Sequence, residues 1–197
     1  ILKEAGRPVA GWFCAYTPVE LLHAAGYTPV RMAGLRAPTG VADSLMHTNL
    51  CPYMKACLDA AESGKLDFID AAVFTSGCDA QRRLYDVWKR RYPEKRSHLI
   101  AVPKLNGPEH VARYAEELAT LKQWLETASG AAISDDALEK SIALYQNLRA
   151  RLKEIDGMRR ARNSRITGSR AMELLLSAQR MPPGNAIAML EEAITEA

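Results

Sequence analysis

Three of the four cysteines in this chain lie at or shortly before the start of a predicted helix. Cys14 ends the first apolar stretch, Cys51 directly precedes a proline that fits the first position of a helix, and Cys78 follows a Ser-Gly turn after the third apolar stretch. At a helix start, the free N–H groups and the positive end of the dipole favour the thiolate, which is the form that binds metals or attacks a substrate. Cys57 lies inside a predicted helix, and we interpret it as a core residue.

The spacing of these cysteines indicates the kind of metal site that they would suit. No two of them form a C-x-x-C pair, which argues against a compact zinc site. Thiolates from separate loops suit an iron–sulfur cluster, but a cluster normally takes four ligands, whereas Cys14, Cys51 and Cys78 supply at most three. One iron would then be open to a substrate or would take its ligand from elsewhere. For Cys78 alone, a small buried residue beneath a turn remains the alternative.

Strands and helices alternate in the first half of the sequence, which predicts an α/β fold. The predicted strands cover residues 9–16, 29–33, 68–74 and 98–103, and the predicted helices cover residues 1–5 and follow Thr17, Cys51 and Cys78. Thr17 is predicted to cap its helix, with Pro18 at the first position and Glu20 completing a capping box. We therefore expect a small parallel sheet flanked by helices, like half of a Rossmann or flavodoxin-like domain. The strand ends of such a sheet share one edge, where the three cysteines would meet.

The second half of the sequence is predicted to be helical. Its predicted helices cover residues 111–125, 138–155, 171–180 and 186–197. The first two are joined by a connector that ends at Ser134, a plausible cap, and we expect them to form an antiparallel pair. The chain is thus divided into an α/β domain at residues 1–105 and a helical domain at residues 106–197. Residues 149–170 carry eight Lys or Arg and two acidic residues, which indicates a solvated helix or a surface for phosphate groups or a partner protein.

Composition narrows the class of protein. The chain has 197 residues, 48% of them apolar, which suits a globular protein with a real core. Its 26 basic and 23 acidic residues are nearly balanced, so charge does not indicate nucleic-acid binding. No apolar run approaches the roughly 20 residues that span a bilayer, and four cysteines in a chain of this length predict a reducing cytoplasm. The start at Ile1 and the end within a helical pattern suggest a piece of a longer protein.

Several short segments, in this order, resemble the 2-hydroxyacyl-CoA dehydratase family, which also contains benzoyl-CoA reductase subunits and double-cubane cluster proteins. The likeness covers most of the chain and depends on the combination of segments rather than on any single one. The segments are Gly11–Gly26 (GWFCAYTPVELLHAAG), Pro29-Val30-Arg31, Leu50-Cys51-Pro52-Tyr53, Ser76-Gly77-Cys78-Asp79, Leu84-Tyr85-Asp86-Val87-Trp88, Ile142–Arg149 (IALYQNLR) and Ile166-Thr167-Gly168.

The resemblance implies an oxygen-sensitive subunit of two α/β domains and a helical segment, in which a [4Fe-4S] cluster lies near a CoA thioester. It also implies a sister subunit of the same family and a separate ATP-dependent activator that injects one electron. In the dehydratases, the electron reaches the thioester carbonyl, and the resulting ketyl radical expels the neighbouring hydroxyl group. In the reductases, the electrons stay in the product. A reductase or electron-transfer subunit and a non-catalytic scaffold subunit are therefore the alternatives to a dehydratase.

The resemblance also assigns roles to individual residues. Cys51 and Cys78 match the cysteines that bind the cluster, and a third ligand would come from a second α/β domain that this chain lacks. Cys14 is expected to be a nearby residue or a supplementary ligand. Glu20 matches an acidic position near the active site and is expected to handle a proton, although a capping role alone would also explain it.

Three further residues flank these positions. Tyr16 and Tyr53 lie close in sequence to the cysteines, and their hydroxyls are candidates for hydrogen bonds to a cluster or a carbonyl. His23 lies one helical turn after Glu20, and we interpret it as a partly buried structural histidine.

Overall fold

The computed structural model describes residues 6–34, 40–161 and 164–197, and within these ranges the chain forms four strands and eight helices. In chain order they are β1 (Val9–Trp12), α1 (Val19–Ala24), β2 (Thr28–Arg31), α2 (Val41–Leu45), α3 (Pro52–Glu62), β3 (Ala71–Thr75), α4 (Asp79–Arg91), β4 (Arg96–Ile100), α5 (Pro108–Ser129), α6 (Asp135–Arg159), α7 (Gly168–Ala178) and α8 (Pro183–Glu196). The predicted helix at residues 1–5 lies outside the described residues.

The four strands form one parallel sheet in the order β2-β1-β3-β4, which confirms the predicted α/β fold. Trp12 of β1 lies opposite Arg31 of β2 on one side and Val73 of β3 on the other. After β1, the chain first adds β2 on one side of it and later adds β3 on the other side. In a sheet of this order, the crevice outside the carboxyl ends of β1 and β3 is the switch point at which ligands bind.

The strands are shorter than the apolar runs that predict them. β1 ends at Trp12 rather than at residue 16, because the Thr17 N–H bonds back to the Cys14 carbonyl at 2.9 Å and turns the chain. β3 begins at Ala71 rather than at residue 68, because residues 63–68 form turns. The chain thus reaches the carboxyl edge in tight turns rather than in extended strand.

Each face of the sheet carries its own apolar core. On one face, which α3 and α4 cover, the Phe13 and Phe74 rings stack with centroids 4.8 Å apart, and Trp88 packs on Phe74 at 5.8 Å. On the other face, Leu121 and Leu125 of α5 are fully buried with side chains of α1. Because both faces are covered, the sheet has the apolar character on both sides that parallel sheets require.

The last three helices form a third core. Leu148 of α6, Leu174 of α7 and Leu190 of α8 are buried together. The predicted antiparallel pairing of α5 with α6 does not describe the packing: α5 packs on β4, whereas α6 packs on α1, α7 and α8. Leu121 and Leu125 of the α5 stripe pack in the core against the sheet, and the buried side chains of α6 pack mainly on α1, α7 and α8.

Two helix starts show where local signals hold and where they fail. Ser134 caps α6 as predicted, since its hydroxyl accepts a hydrogen bond from the Ala137 N–H at 3.2 Å. The predicted capping box at α1 is wrong: Pro18 is the cap residue, and α1 has no side-chain cap. The Glu20 carboxylate accepts a hydrogen bond from Arg149 of α6 instead, so a tertiary ion pair replaces the local contact.

Candidate functional site

The three predicted site cysteines all lie at the carboxyl edge of the sheet. Cys51 and Cys78 are the cap residues of α3 and α4, and both are exposed. Neither side chain makes a capping hydrogen bond to its helix. Cys14 lies in the turn after β1 and is half-buried. The start of α3 is held at this edge because Tyr53 donates a hydrogen bond to the carbonyl of Met32, directly after β2.

A cavity of about 320 Å³ lies between the segment that precedes Cys51 and the first turns of α4. It is lined by Leu50 and by Asp79, which are the immediate neighbours of Cys51 and Cys78. Arg83 lines the cavity on the α4 side and forms an ion pair with Asp79 at 3.5 Å. Each exposed thiol is thus one residue away in sequence from a residue that lines this cavity.

Cys14 lies in the turn after β1, two residues before Tyr16, whose carbonyl accepts a hydrogen bond from Tyr114 of α5. Among the residues that the structure describes, no group of three or more His, Cys, Asp or Glu side chains is arranged to hold a metal ion. Cys14, Cys51 and Cys78 thus do not come together as a three-ligand site. Cys51 and Cys78 are exposed, so both thiols are accessible, and together they would supply two of the four ligands that a cluster usually takes.

Cys57 is fully buried in the core beneath α3, as predicted. Burial raises the pKa of its thiol to about 12, so this cysteine stays neutral at physiological pH. Burial likewise raises the pKa of Tyr53 to about 12. Because the Tyr53 hydroxyl proton is already donated to the Met32 carbonyl, it is not free for a cluster or a substrate carbonyl, contrary to expectation.

A second cavity, of about 570 Å³, lies where the carboxyl end of β1 meets the helical layer. Its walls come from the β1–α1 turn, from α5 and α6, and from the α7–α8 connector. The lining residues are mostly apolar and include Trp12, Ala15, Pro18, Val19, Leu118, Leu148, Leu152 and Met181, with Tyr114, Tyr145 and Gln179 among the polar ones. A mostly apolar cleft of this size with a few polar groups is typical of a small-molecule site.

Glu20 and Arg149 form an ion pair in the wall of this cavity. Their closest nitrogen and oxygen atoms are 2.6 Å apart, and the side chains are 19% and 50% exposed, respectively. The pair joins α1 to α6 across 129 positions of sequence. Beside it, burial, reinforced by the Glu20 charge, raises the pKa of Tyr145. Glu20 therefore lines the cavity and holds a cation there, and its role in proton handling stays a prediction.

Tyr16 stands between the two sites. Its ring packs against Gly77, the residue before Cys78, where a Cβ would meet the ring at 3.6 Å. Tyr16 also lines the 570 Å³ cavity, and its carbonyl accepts a hydrogen bond from the Tyr114 hydroxyl at 2.6 Å. The side chain is nevertheless 56% exposed. Tyr16 is thus an exposed ring that separates the large cavity from the Cys78 turn.

His23 has the structural role that the sequence predicts. Its Nδ1 atom lies 2.8 Å from the Ser141 hydroxyl, and its ring packs edge-on against Tyr145. Burial, followed by the nearby positive charge of Arg7, lowers its pKa. The neutral ring thus helps to join α1 to α6.

Two important residues escape prediction from sequence. In the sequence, Arg149 and Arg31 lie at the ends of two segments that carry the family resemblance, but neither of them is assigned a role. The Arg31 guanidinium lies over the Trp12 and Tyr53 rings at 5.7 and 5.9 Å and donates a hydrogen bond to Gln179 at 2.8 Å. Partners 129 and 148 positions apart leave no signal in spacing or periodicity.

The charges of the basic stretch are largely paired within the chain. The pairs are Arg149 with Glu20, Arg151 with Glu154, Arg159 and Arg160 with Asp156, and Arg170 with Glu173. This pairing agrees with the simpler interpretation, a solvated helix surface. Separately, none of the helices in the described ranges is both long and apolar enough to cross a bilayer.

Comparison with known proteins supplies the family. Residues 14–197 match the sequence profile of the family described as 2-hydroxyglutaryl-CoA dehydratase, D-component. The chain is 33% identical to a benzoyl-CoA reductase subunit of Thauera aromatica over 165 residues, which are 80% of this chain and 42% of that protein. It is 31% identical to the beta subunit of lactoyl-CoA dehydratase from Anaerotignum propionicum over 153 residues, or 77% of this chain and 40% of that protein.

More distant relatives show the same partial coverage. The chain is 24% identical over 155 residues to the beta subunit of (R)-2-hydroxyglutaryl-CoA dehydratase from Acidaminococcus fermentans, covering 77% of this chain and 41% of that protein. The chain spans 40–47% of the length of the curated relatives that it matches. Because the family profile covers nearly the whole chain, the protein belongs to the 2-hydroxyglutaryl-CoA dehydratase, D-component family.

Proposed function

We propose that this chain is part of the iron–sulfur subunit of a 2-hydroxyacyl-CoA dehydratase, which removes water from a CoA thioester after one-electron activation. The observation that supports this most directly is the pair of exposed thiols, Cys51 and Cys78, at two helix starts beside one cavity. A second, larger and mostly apolar cavity adjoins the Cys78 turn through Tyr16. These two features, which share one end of the fold, support the proposal of a metal site beside a pocket for the acyl group.

Cys51 and Cys78 would hold a [4Fe-4S] cluster on this chain, and the remaining ligands would come from outside it. When bound, such a cluster supplies single electrons to a substrate. Cys14, which is half-buried in the turn after β1, would be a neighbour of the cluster rather than part of the exposed pair. The lengths of the relatives leave room for a second domain that carries a further ligand.

The acyl group of the substrate would occupy the 570 Å³ cavity, with Leu148 and Leu152 against its apolar part. Tyr16 would separate the acyl group from solvent on the Cys78 side. Glu20 would take up the substrate proton at its carboxylate once Arg149 turns to a substrate oxygen. This exchange is feasible because Arg149 is half exposed and its guanidinium can reorient without unfolding α6.

The partners follow from the same proposal. An elimination that recycles one electron requires a protein that injects it, so we propose an ATP-dependent activator in the cytoplasm. The names of the relatives describe subunits, which supports a sister subunit of this family as a second partner.

Anaerobic reconstitution with iron, sulfide and excess dithiothreitol tests the cluster. The added thiol can supply the ligands that the chain lacks. We expect bound iron in the wild type, its loss in Cys51→Ser and in Cys78→Ser, and its retention in the control Cys57→Ala, since Cys57 is buried in the core. Iron content that is unchanged in the Cys51→Ser, Cys78→Ser double variant would contradict the assignment. A wild type without iron would favour the scaffold role.

A variant at the cavity mouth tests the acyl site. Ala15 is exposed and lines the 570 Å³ cavity, so Ala15→Trp should fill its mouth. We expect this variant to weaken binding of hydrophobic acyl-CoA esters at least tenfold and to leave binding of free CoA unchanged. Ala132→Trp, at another exposed loop alanine, is the control. Equal weakening of acyl-CoA and free CoA would exclude the cavity as the acyl site.

A reductase reaction is the second candidate, and the 33% identity to the benzoyl-CoA reductase subunit of Thauera aromatica favours it. The two reactions differ in mass balance. A dehydratase product is lighter than its substrate by one water, whereas a reductase product gains two hydrogens and keeps its oxygen. Mass spectrometry of the acyl-CoA after turnover by the complete complex distinguishes them.

A further inference from the structure

Lys55 is a charged residue with only 5% of its surface exposed. Lysine is rarely buried unless it is paired, and here the ammonium group has two partners. It donates to the Asp43 carboxylate of α2 at 2.6 Å and to the Thr48 carbonyl at 2.8 Å. Both acceptors precede Cys51 in sequence, whereas Lys55 lies one helical turn after it. The ammonium group therefore joins the chain before Cys51 to the helix after it.

A second contact from α3 holds the same segment. The Asp59 carboxylate accepts a hydrogen bond from the Ala42 N–H at 2.8 Å, at the start of α2. Asp59 follows Lys55 by one helical turn, so the two side chains attach α2 and the residues after it along one side of α3. The segment attached in this way, residues 45–50, forms one wall of the 320 Å³ cavity beside Cys51 and Cys78.

Cys51 depends on this attachment for its position. Its side chain is exposed and makes no capping hydrogen bond, so packing does not fix it. On its C-terminal side, α3 sets the backbone, and on its N-terminal side residues 45–50 do, of which Met46 is also buried in the core. A metal ligand has to be held to within about 0.5 Å to bind well. An apolar side chain in place of Lys55 would fill the space but could not bond to the Thr48 carbonyl.

We propose that Lys55 is a positioning residue for Cys51, and that its ammonium group, by holding the 45–50 segment, fixes the backbone at Cys51 next to the cavity shared with α4. The importance of this position rests on the proposed function, in which Cys51 binds a cluster. The positioning itself is a property of the metal-free chain and can be measured without iron.

The test compares Lys55→Met with the control Lys65→Met, at an exposed lysine, in the metal-free chain. Hydrogen exchange of the amides of residues 45–51 should accelerate at least tenfold in Lys55→Met, while exchange in α4 stays unchanged. The alkylation rate of Cys51 relative to Cys78 should change at least threefold, because Cys78 lies on a segment that Lys55 does not contact. Asp43→Asn, which weakens one of the two bonds, should show smaller changes in the same direction, and it serves if Lys55→Met does not fold.

Iron loading then separates a positioning role from a structural one. In the reconstitution described above, Lys55→Met should load less than half of the wild-type iron while remaining folded by circular dichroism. Faster exchange with unchanged alkylation ratio and unchanged iron would overturn the proposal and leave Lys55 as a structural residue. If the wild type itself binds no iron, the proposed function fails, and the alkylation ratio alone still decides whether Lys55 positions Cys51.

Discussion

Removing the ion pair between Glu20 and Arg149 should reveal its contribution to the joint between the α/β layer and the helical layer. The perturbation is a double-mutant cycle of Glu20→Gln and Arg149→Met. Two unit charges 4 Å apart attract by about 4 kcal/mol at an effective dielectric constant of 20 and by about 1 kcal/mol in water. Arg149 is 50% exposed, so solvent screening dominates, and we expect a coupling energy of about 1 kcal/mol.

The two single variants should differ. Glu20 is only 19% exposed, so Arg149→Met leaves a largely buried carboxylate without its cation, whereas Glu20→Gln leaves a half-exposed guanidinium that water can solvate. We therefore expect Arg149→Met to destabilise the chain more than Glu20→Gln. For a domain of this size, 1 kcal/mol corresponds to a shift of about 2–4 °C in Tm.

Urea unfolding followed by circular dichroism measures these free energies, at low and at high salt. Coupling should fall as ionic strength rises, since half of the pair is open to solvent. The control cycle uses Lys140 and Asp136, which are 2.7 Å apart but 76% and 72% exposed, and its coupling should be smaller. A coupling energy indistinguishable from this control, or an Arg149→Met variant as stable as Glu20→Gln, would refute the reasoning.

Two glycine substitutions, a lower pH and a thiol reagent provide further tests of the packing. Gly34→Ala should destabilise the chain by several kcal/mol, because a Cβ there would lie 2.6 Å from the backbone of α3. Gly157→Ala lies in open space on α6 and should stabilise the chain by about 0.5–1 kcal/mol. Thermal unfolding measures both effects. Burial lowers the pKa of His23 and of His98 in the folded chain. Below about pH 6.5 the unfolded chain therefore binds more protons than the folded chain, and the free energy of unfolding should fall. Urea unfolding at pH 7.5 and 5.5 measures this loss, and equal stability at the two pH values would contradict it. At pH 8, iodoacetamide should leave Cys57 unmodified in the native chain, as mass spectrometry can verify, because burial raises the pKa of its thiol to about 12.

Much of the first half of the fold could be predicted from local patterns. Short-range features predict both helix starts: a proline at the first helical position after Cys51, and a Ser-Gly turn before Cys78. In the structure both cysteines are the caps of their helices. The alternation of apolar runs with helical spacing likewise predicted a parallel sheet, and the sheet is parallel. Such signals work because each depends on residues within one or two turns of each other.

The candidate site contains contacts that local patterns do not encode. The capping box at Thr17 and Glu20 failed because Arg149, far along the chain, offers Glu20 a charged partner. The Cys51-to-Lys55 spacing of one helical turn was visible, but the sequence did not reveal that the ammonium group bonds back to Thr48.

The sequence by itself determined the family, the α/β class and which cysteines begin helices, because these depend on residue order and local spacing. Only the tertiary structure decided that Arg149 pairs with Glu20, that α5 packs on the sheet, and that α1 and α6 enclose a cavity. The physical reason is that side chains more than a hundred residues apart meet only when separately formed layers pack. Which charges and apolar stripes then find each other depends on the shape of the whole core.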